Sequence, residues 1–95
     1  MVMKFVAWDP DKNERLKIER GISFEEIMDA IVDGKTITVL KNKNKERYSH
    51  QRIFVVNIDD YAFCIPFVEG DEKLFLKTIY ASRKHTKKYI EKGAI

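Results

Sequence analysis

The chain has 95 residues, 44% hydrophobic and 12% aromatic, which fits one domain with a real core and excludes a disordered chain. No apolar run approaches the roughly 20 residues that span a bilayer. The opening Met1-Val2-Met3-Lys4-Phe5 has no signal-peptide character, and the lone cysteine, Cys64, excludes an internal disulfide, so a cytoplasmic protein is expected. The net charge of +3 is unevenly spread: residues 41–52 carry five basic groups and one acidic, residues 82–95 again five and one, and the rest is net acidic.

Residues 3–8 form a short apolar run ending in Trp8, read as a first strand. Asp9-Pro10 then starts a helix, because Asp9 can accept from free N–H groups and proline loses nothing at the first helical position. The helix extends to about Arg20 and stops at Gly21. Ser23-Phe24-Glu25-Glu26 is a capping box with Ile22 and Ile27 as its hydrophobic staple. It opens a second helix that ends near Asp33-Gly34, with Phe24, Ile27, Met28 and Ile31 on one core-facing stripe.

The β-branched run Thr36 to Leu40 reads as a strand, followed by a polar loop to about Gln51. Ile53 to Ile58 is apolar on both faces, as a central strand would be. Asp59-Asp60 joins it as a hairpin to a strand from Tyr61 to Ile65, and Pro66 should mark that strand's end or an edge position. After the turn at Glu69-Gly70-Asp71-Glu72, Leu74 to Tyr80 reads as one last strand. A final helix begins at the N-cap Ser82 and ends at Gly93. The order β-α-α-β-β-β-β-α implies an α+β domain, an antiparallel sheet with helices packed on it. Residues 1–95 form a single domain, without linkers or repeats.

His50 and His85 lie far apart, with one cysteine and no HExxH or CxxC, so no metal site is expected, and no glycine-rich phosphate loop or other cofactor motif is present. The chemistry left is that of Lys, Arg, His and Tyr. Ser82-Arg83-Lys84-His85-Thr86-Lys87-Lys88-Tyr89 stacks cations at a helix start, where they oppose the dipole. Lys43, Lys45, Arg47, Lys84, Lys87 and Lys88 are candidates for contacting RNA phosphates. Lys77 shares, by strand alternation, a face with Phe75 and Ile79. Arg52 enters the central strand and His50 precedes it by two positions. RNA cleavage by the 2′-hydroxyl needs a base, an acid and cations for the phosphorane charge. Arg52, Arg83 and Lys77 can supply the charge, and His50, His85 and Tyr89 can move protons. Arg52 and Arg83 are expected to converge on one phosphate.

Trp8-Asp9-Pro10-Asp11-Lys12-Asn13, Gly21-Ile22-Ser23-Phe24-Glu25-Glu26 and Ala81-Ser82-Arg83-Lys84-His85-Thr86, in this order and spacing, resemble the BrnT toxin family, whose blocks read WDxxK, HGVSFEEA and SARKAT. The similarity runs from about Phe5 to Tyr89. It implies a RelE-like fold, cleavage of RNA, inhibition of translation and a BrnA-like ribbon-helix-helix antitoxin, with promoter DNA bound only through that antitoxin. By position, Arg83 matches the arginine of SAR and Arg52 an arginine before the central strand. The chain departs from the pattern at Arg20, Leu16 and His85. The alternative reading is a non-catalytic nucleic-acid-binding or regulatory protein of the same fold, working with a DNA-binding partner.

Overall fold

The computed structural model describes residues 5–41 and 51–91. Strand β1 (Phe5–Trp8) leads into α1 (Pro10–Arg20) and α2 (Phe24–Val32). Strands β2 (Thr36–Lys41), β3 (Gln51–Ile58), β4 (Tyr61–Glu69), β5 (Lys73–Leu76) and β6 (Tyr80–Ala81) follow, then a short helix α3 (Arg83–Thr86) that passes into a π-helical segment, Lys87–Glu91. Among the described residues no helix is long and apolar enough to cross a membrane. The expected helix end at Gly93 lies outside the described residues.

The helix boundaries follow local chemistry. Asp9 accepts from the Asp11 N–H at 2.9 Å, Pro10 takes the first helical position, and Gly21 closes α1 at φ 66°, a left-handed conformation that glycine adopts without a Cβ penalty. Ser23 accepts from the Glu26 N–H at 3.2 Å, the capping box expected of Ser-x-x-Glu. Buried Asn13 locks the two helices together: its amide donates to Glu25 Oε1 at 2.7 Å, and its carbonyl accepts from the Phe24 N–H at 2.8 Å. Of the predicted stripe, Phe24 and Ile27 are fully buried, while Met28 and Ile31 pack against the core from its rim.

The fold is α+β, with a mixed sheet of six strands among the described residues. Its main path is β1-β5-β4-β3-β2, and β6 also pairs with β4. Strands β2 to β5 are antiparallel neighbours, as expected. The exception to the expected antiparallel sheet is β1, which lies parallel to β5 with Trp8 beside Leu76. A parallel pair needs a long connection, and the chain from Asp9 to Glu72, with α1, α2 and β2 to β4, supplies it. Two helices between β1 and β2 and one after β6 are consistent with a RelE-like arrangement.

Asp59 and Asp60 both have positive φ, 53° and 62°, the pattern of a type I′ turn, so the two-residue hairpin forms without glycine or asparagine.

Pro66 is the main departure. It neither ends β4 nor lies on an edge strand: it sits inside β4, opposite Ile53 of β3. On its other side β4 pairs with β6 at Phe63 and Cys64 and with β5 from Phe67 onward. The expected single strand from Leu74 to Tyr80 is therefore broken at Lys77–Ile79. The Pro66 carbonyl accepts from the Lys77 N–H at 2.8 Å, so its nitrogen faces the same way, into the break, where no ladder donor is needed. The Arg20 guanidinium donates to the Ile79 carbonyl and holds the break against α1.

The sheet has a core on each face. On one side Leu16, Ile22, Phe24 and Ile27 pack onto Val56, Ile65, Phe67, Leu76 and Ile79, and Trp8 stacks on Phe24 with ring centroids 5.5 Å apart. On the other, a smaller cluster of Val55, Ala62 and Cys64 meets Tyr89 and Ile90. The final helical segment thus covers the β3–β4 region of the second face.

Candidate functional site

Strand parity defines the part of the second face that extends beyond this helix. Leu74, Leu76, Phe67 and Val6 belong to the first core, so the residues that alternate with them point the other way. These are Phe5 and Ala7 on β1, Lys73 and Phe75 on β5, and Pro66 and Val68 on β4. The registers Phe5 with Lys73, Ala7 with Phe75 and Phe75 with Val68 place them side by side. Phe5 is 77% exposed, and Lys73 and Lys77 are exposed. The Lys77 ammonium lies over the Phe75 ring, 5.7 Å from its centroid.

The break at Lys77–Ile79 corrects one expectation about this face. Lys77 does share it with Phe75, but Ile79 does not. Ile79 is fully buried in the first core, and Tyr80, opposite Cys64, comes onto the second face. Three non-strand residues shift the alternation, so a parity count through Leu74–Tyr80 fails at its end. Burial pushes the Cys64 thiol above its ordinary value, against hydrogen bonds from Tyr80 and Ser82 that lower it. Burial likewise raises the Tyr80 phenol, with Cys64 adding to the effect. Both groups stay protonated at neutral pH. Cys64 is a packed thiol, as its apolar neighbours imply.

The segment after β6 is held by two hydrogen bonds to Ala62 of β4 and by others within itself. The Ser82 N–H donates to the Ala62 carbonyl at 2.9 Å, and its hydroxyl accepts from the His85 N–H at 3.1 Å. The buried Thr86 hydroxyl accepts from the Ala62 N–H at 2.8 Å and donates to the Ser82 carbonyl at 2.7 Å. These bonds fix which side of α3 faces the sheet. His85 and Tyr89 turn inward with their rings edge-on at 5.9 Å. Arg83, Lys84, Lys87 and Lys88 are all exposed on the outer side, with the Lys88 ammonium 5.2 Å from the Tyr89 ring centroid.

Arg52 does not join this group. It stands opposite Phe67, on the α1–α2 side of the sheet, with its guanidinium 5.3 Å from the Phe67 ring centroid and ion-paired to Glu69. Arg83 follows Ser82, which is bonded to Ala62. Ala62 and Phe67 are five strand residues apart, about 17 Å. Arg52 and Arg83 therefore lie on opposite faces and at opposite ends of β4, and the expected convergence on one phosphate is not built. His50, Lys43, Lys45 and Arg47 lie outside the described residues. The structure thus brings Arg83, His85, Tyr89, Lys84, Lys87 and Lys88 together on one segment, with Lys77 farther along the same face. Phe75 and Tyr80 belong with them and were not singled out from sequence. The parity of Phe75 with Lys77 was the signal for the first; for the second, only Pro66 hints at the break.

The two sides of the molecule differ in charge. A cleft of about 410 Å³ near the β3–β4 hairpin is lined by Glu26, Asp29, Asp33, Asp59 and Asp60, with Lys35 the only cation among its lining residues. That surface repels phosphate, whereas the second face is rimmed by lysines and an arginine. Among the described residues no group of three or more His, Cys, Asp or Glu is placed to hold a metal ion. What the fold and site define is an α+β domain with a partly open sheet face bordered by cations and aromatic rings. No family model matches the chain, and no curated protein or solved structure is significantly similar to it.

Proposed function

We propose that this chain is an RNA-cleaving toxin of a bacterial toxin–antitoxin pair, acting in the cytoplasm and held in check by a small ribbon-helix-helix antitoxin. The observation that carries the reading is the cationic rim formed by Lys77, Arg83, Lys84, Lys87 and Lys88 beside the open sheet face. Such a rim attracts a phosphate backbone without needing a base sequence. The resemblance of the Trp8, Gly21 and Ser82 blocks to the BrnT family supplies the toxin assignment.

In this reading the RNA's own 2′-hydroxyl attacks the adjacent phosphorus and the 5′-oxygen leaves. The Arg83 fork stabilises the charge that builds on the phosphorane oxygens, which a planar, permanently charged group does better than a lysine. His85 is the first candidate for proton transfer because a neutral imidazole carries both a donor and an acceptor nitrogen. Tyr89 orients it through the edge-on ring contact. Lys77 and Lys84 act as longer-range electrostatic support. Arg52, tied to Glu69, has a structural role.

The test is expression without a partner, scoring growth and RNA integrity for the wild type and for Arg83→Ala and Arg83→Lys. The expected result is growth arrest with fragmented RNA in the wild type, persisting in lysates treated with chelator, and relief by both variants. Intact RNA retained by a folded wild-type protein would instead establish the non-catalytic, nucleic-acid-binding alternative.

A further inference from the structure

Among the described residues the core on the second face is Val55, Ala62 and Cys64, with Ile37, Leu40, Ile53, Tyr89 and Ile90 packed around it. Beyond that core the same face carries a partly buried Phe75 between the exposed Lys73 and Lys77, with the exposed Phe5 beside Lys73 and the exposed Tyr80 farther along the same side. An aromatic ring on an open strand, flanked by ammonium groups, has the chemistry of a surface that stacks a nucleobase while cations hold the neighbouring phosphates. The rim makes this face complementary to a polyanion, and a purely apolar partner would leave Lys73 and Lys77 without counter-charges.

We infer that the Phe75 half of the sheet is a stacking platform for unpaired bases, so that the chain engages single-stranded RNA in preference to duplex. This rests on the RNA reading above and adds to it the form of RNA and the residues that select it. Phe75 lies opposite Val68 and Tyr80 opposite Cys64, four β4 residues apart, or about 13 Å. Stacked neighbours in a nucleic-acid strand sit about 3.4 Å apart. The two rings therefore hold non-adjacent bases, and Lys77, between them in sequence and over the Phe75 edge of the face, meets an intervening phosphate. A duplex keeps its bases inside and offers Phe75 nothing to stack on. The strand leaving Tyr80 runs toward Ser82 and Arg83, which places the scissile phosphate at the Tyr80 end.

The experiment is fluorescence anisotropy of the full chain with a labelled single-stranded RNA bearing 2′-O-methyl riboses, which block cleavage by the 2′-hydroxyl, and with the matching duplex. Wild type should bind the single strand more tightly. Phe75→Leu, which keeps an apolar side chain and removes the ring, should weaken single-strand binding about tenfold or more and leave duplex binding unchanged. Phe75→Trp should retain or tighten it, which guards against a loss caused by poor folding. Lys77→Met should lower the salt dependence of single-strand binding by about 0.7 in log–log slope. Equal single-strand binding by wild type and folded Phe75→Leu, or an equal loss for duplex, would overturn the inference. So would a Phe75→Leu protein that keeps RNA binding but no longer binds its antitoxin, since the face would then be a protein interface. A chain that cuts RNA but is indifferent to Phe75 refutes only the platform; one that binds single strands through Phe75 yet cuts nothing refutes only the ribonuclease.

Discussion

Replacing Thr86 by valine isolates the fastening of α3 to the sheet. Valine keeps the β-branched shape at a position only 3% exposed, so packing changes little. The hydroxyl is lost, and with it the acceptor for the Ala62 N–H and the donor to the Ser82 carbonyl. Ala62 is fully buried, so its N–H is left without its partner beyond the reach of bulk water. An unsatisfied buried donor costs about 1–3 kcal/mol. The Ser82 carbonyl loses less, because it still accepts from the Thr86 N–H at 3.0 Å. For a domain of this size each kcal/mol moves the melting temperature by about 4–8 °C, so Thr86→Val should melt roughly 5–20 °C below wild type. Thr86→Ser keeps the hydroxyl, loses one methyl and should fall about 1 kcal/mol or less. Thermal denaturation followed by circular dichroism, with urea titration at one temperature, measures both. If valine melts with wild type, or serine falls as far as valine, then the hydroxyl does not fasten this helix and the account of how Arg83 is placed fails.

Arg52→Ala should cost about 1 kcal/mol of stability, from a half-exposed ion pair and lost packing on Phe67, and leave RNA cleavage unchanged, whereas Arg83→Ala should lower single-turnover cleavage roughly a hundredfold with an unchanged melting curve; equal losses of activity would contradict the opposite-face placement. Asp60→Gly should stabilise the hairpin by about 0.5–1 kcal/mol, since glycine adopts the positive φ without the Cβ penalty, and a urea midpoint below wild type would rule this out. The Asn13 amide, followed by a backbone hydrogen bond, holds the Glu25 carboxyl below its ordinary 4.5. A depressed folded-state pKa stabilises the fold above the unfolded value and is lost as pH falls through the folded one, so Glu25→Gln should flatten the acid limb of stability between about pH 5 and the folded pKa. Melting curves from neutral to acid pH that overlay for the two proteins would remove Glu25 from that limb.

The local rules read most of this fold from sequence because they depend on neighbours a few residues away. Asp9-Pro10, Gly21 and Ser23-x-x-Glu26 mark helix ends by satisfying backbone groups within one turn, and the Asp59-Asp60 hairpin needs only two residues. Pro66 departs from the expectation because the rule for proline in a strand concerns the ladder on one side, and which side its nitrogen faces depends on the break at Lys77, eleven positions later. That choice broke the last strand, exchanged Ile79 for Tyr80 on the second face and hid an aromatic residue of the candidate site. Arg52 and Arg83 were expected to meet because both sit where loops join the sheet. Their separation follows from register and face, which only the pairing of Arg52 with Phe67 and of Ser82 with Ala62 reveals. The Ser82–Tyr89 segment was legible because its charge is local, whereas the open sheet face is assembled from three strands distant in sequence.

The parallel seam between β1 and β5 sets the order in which a growing chain can finish itself. Synthesis proceeds from the N-terminus at about 5–20 residues per second, so β1 emerges first and waits several seconds for the partner that will flank it. During that interval Val6 and Trp8 have α2 to lean on but no Leu74 or Leu76 beside them. The segment that ends the wait also carries Phe75 and leads through Tyr80 to Arg83. Closure of the sheet edge and completion of the cation-rimmed face are therefore one event, and a ribosome-bound fragment lacking β5 has neither.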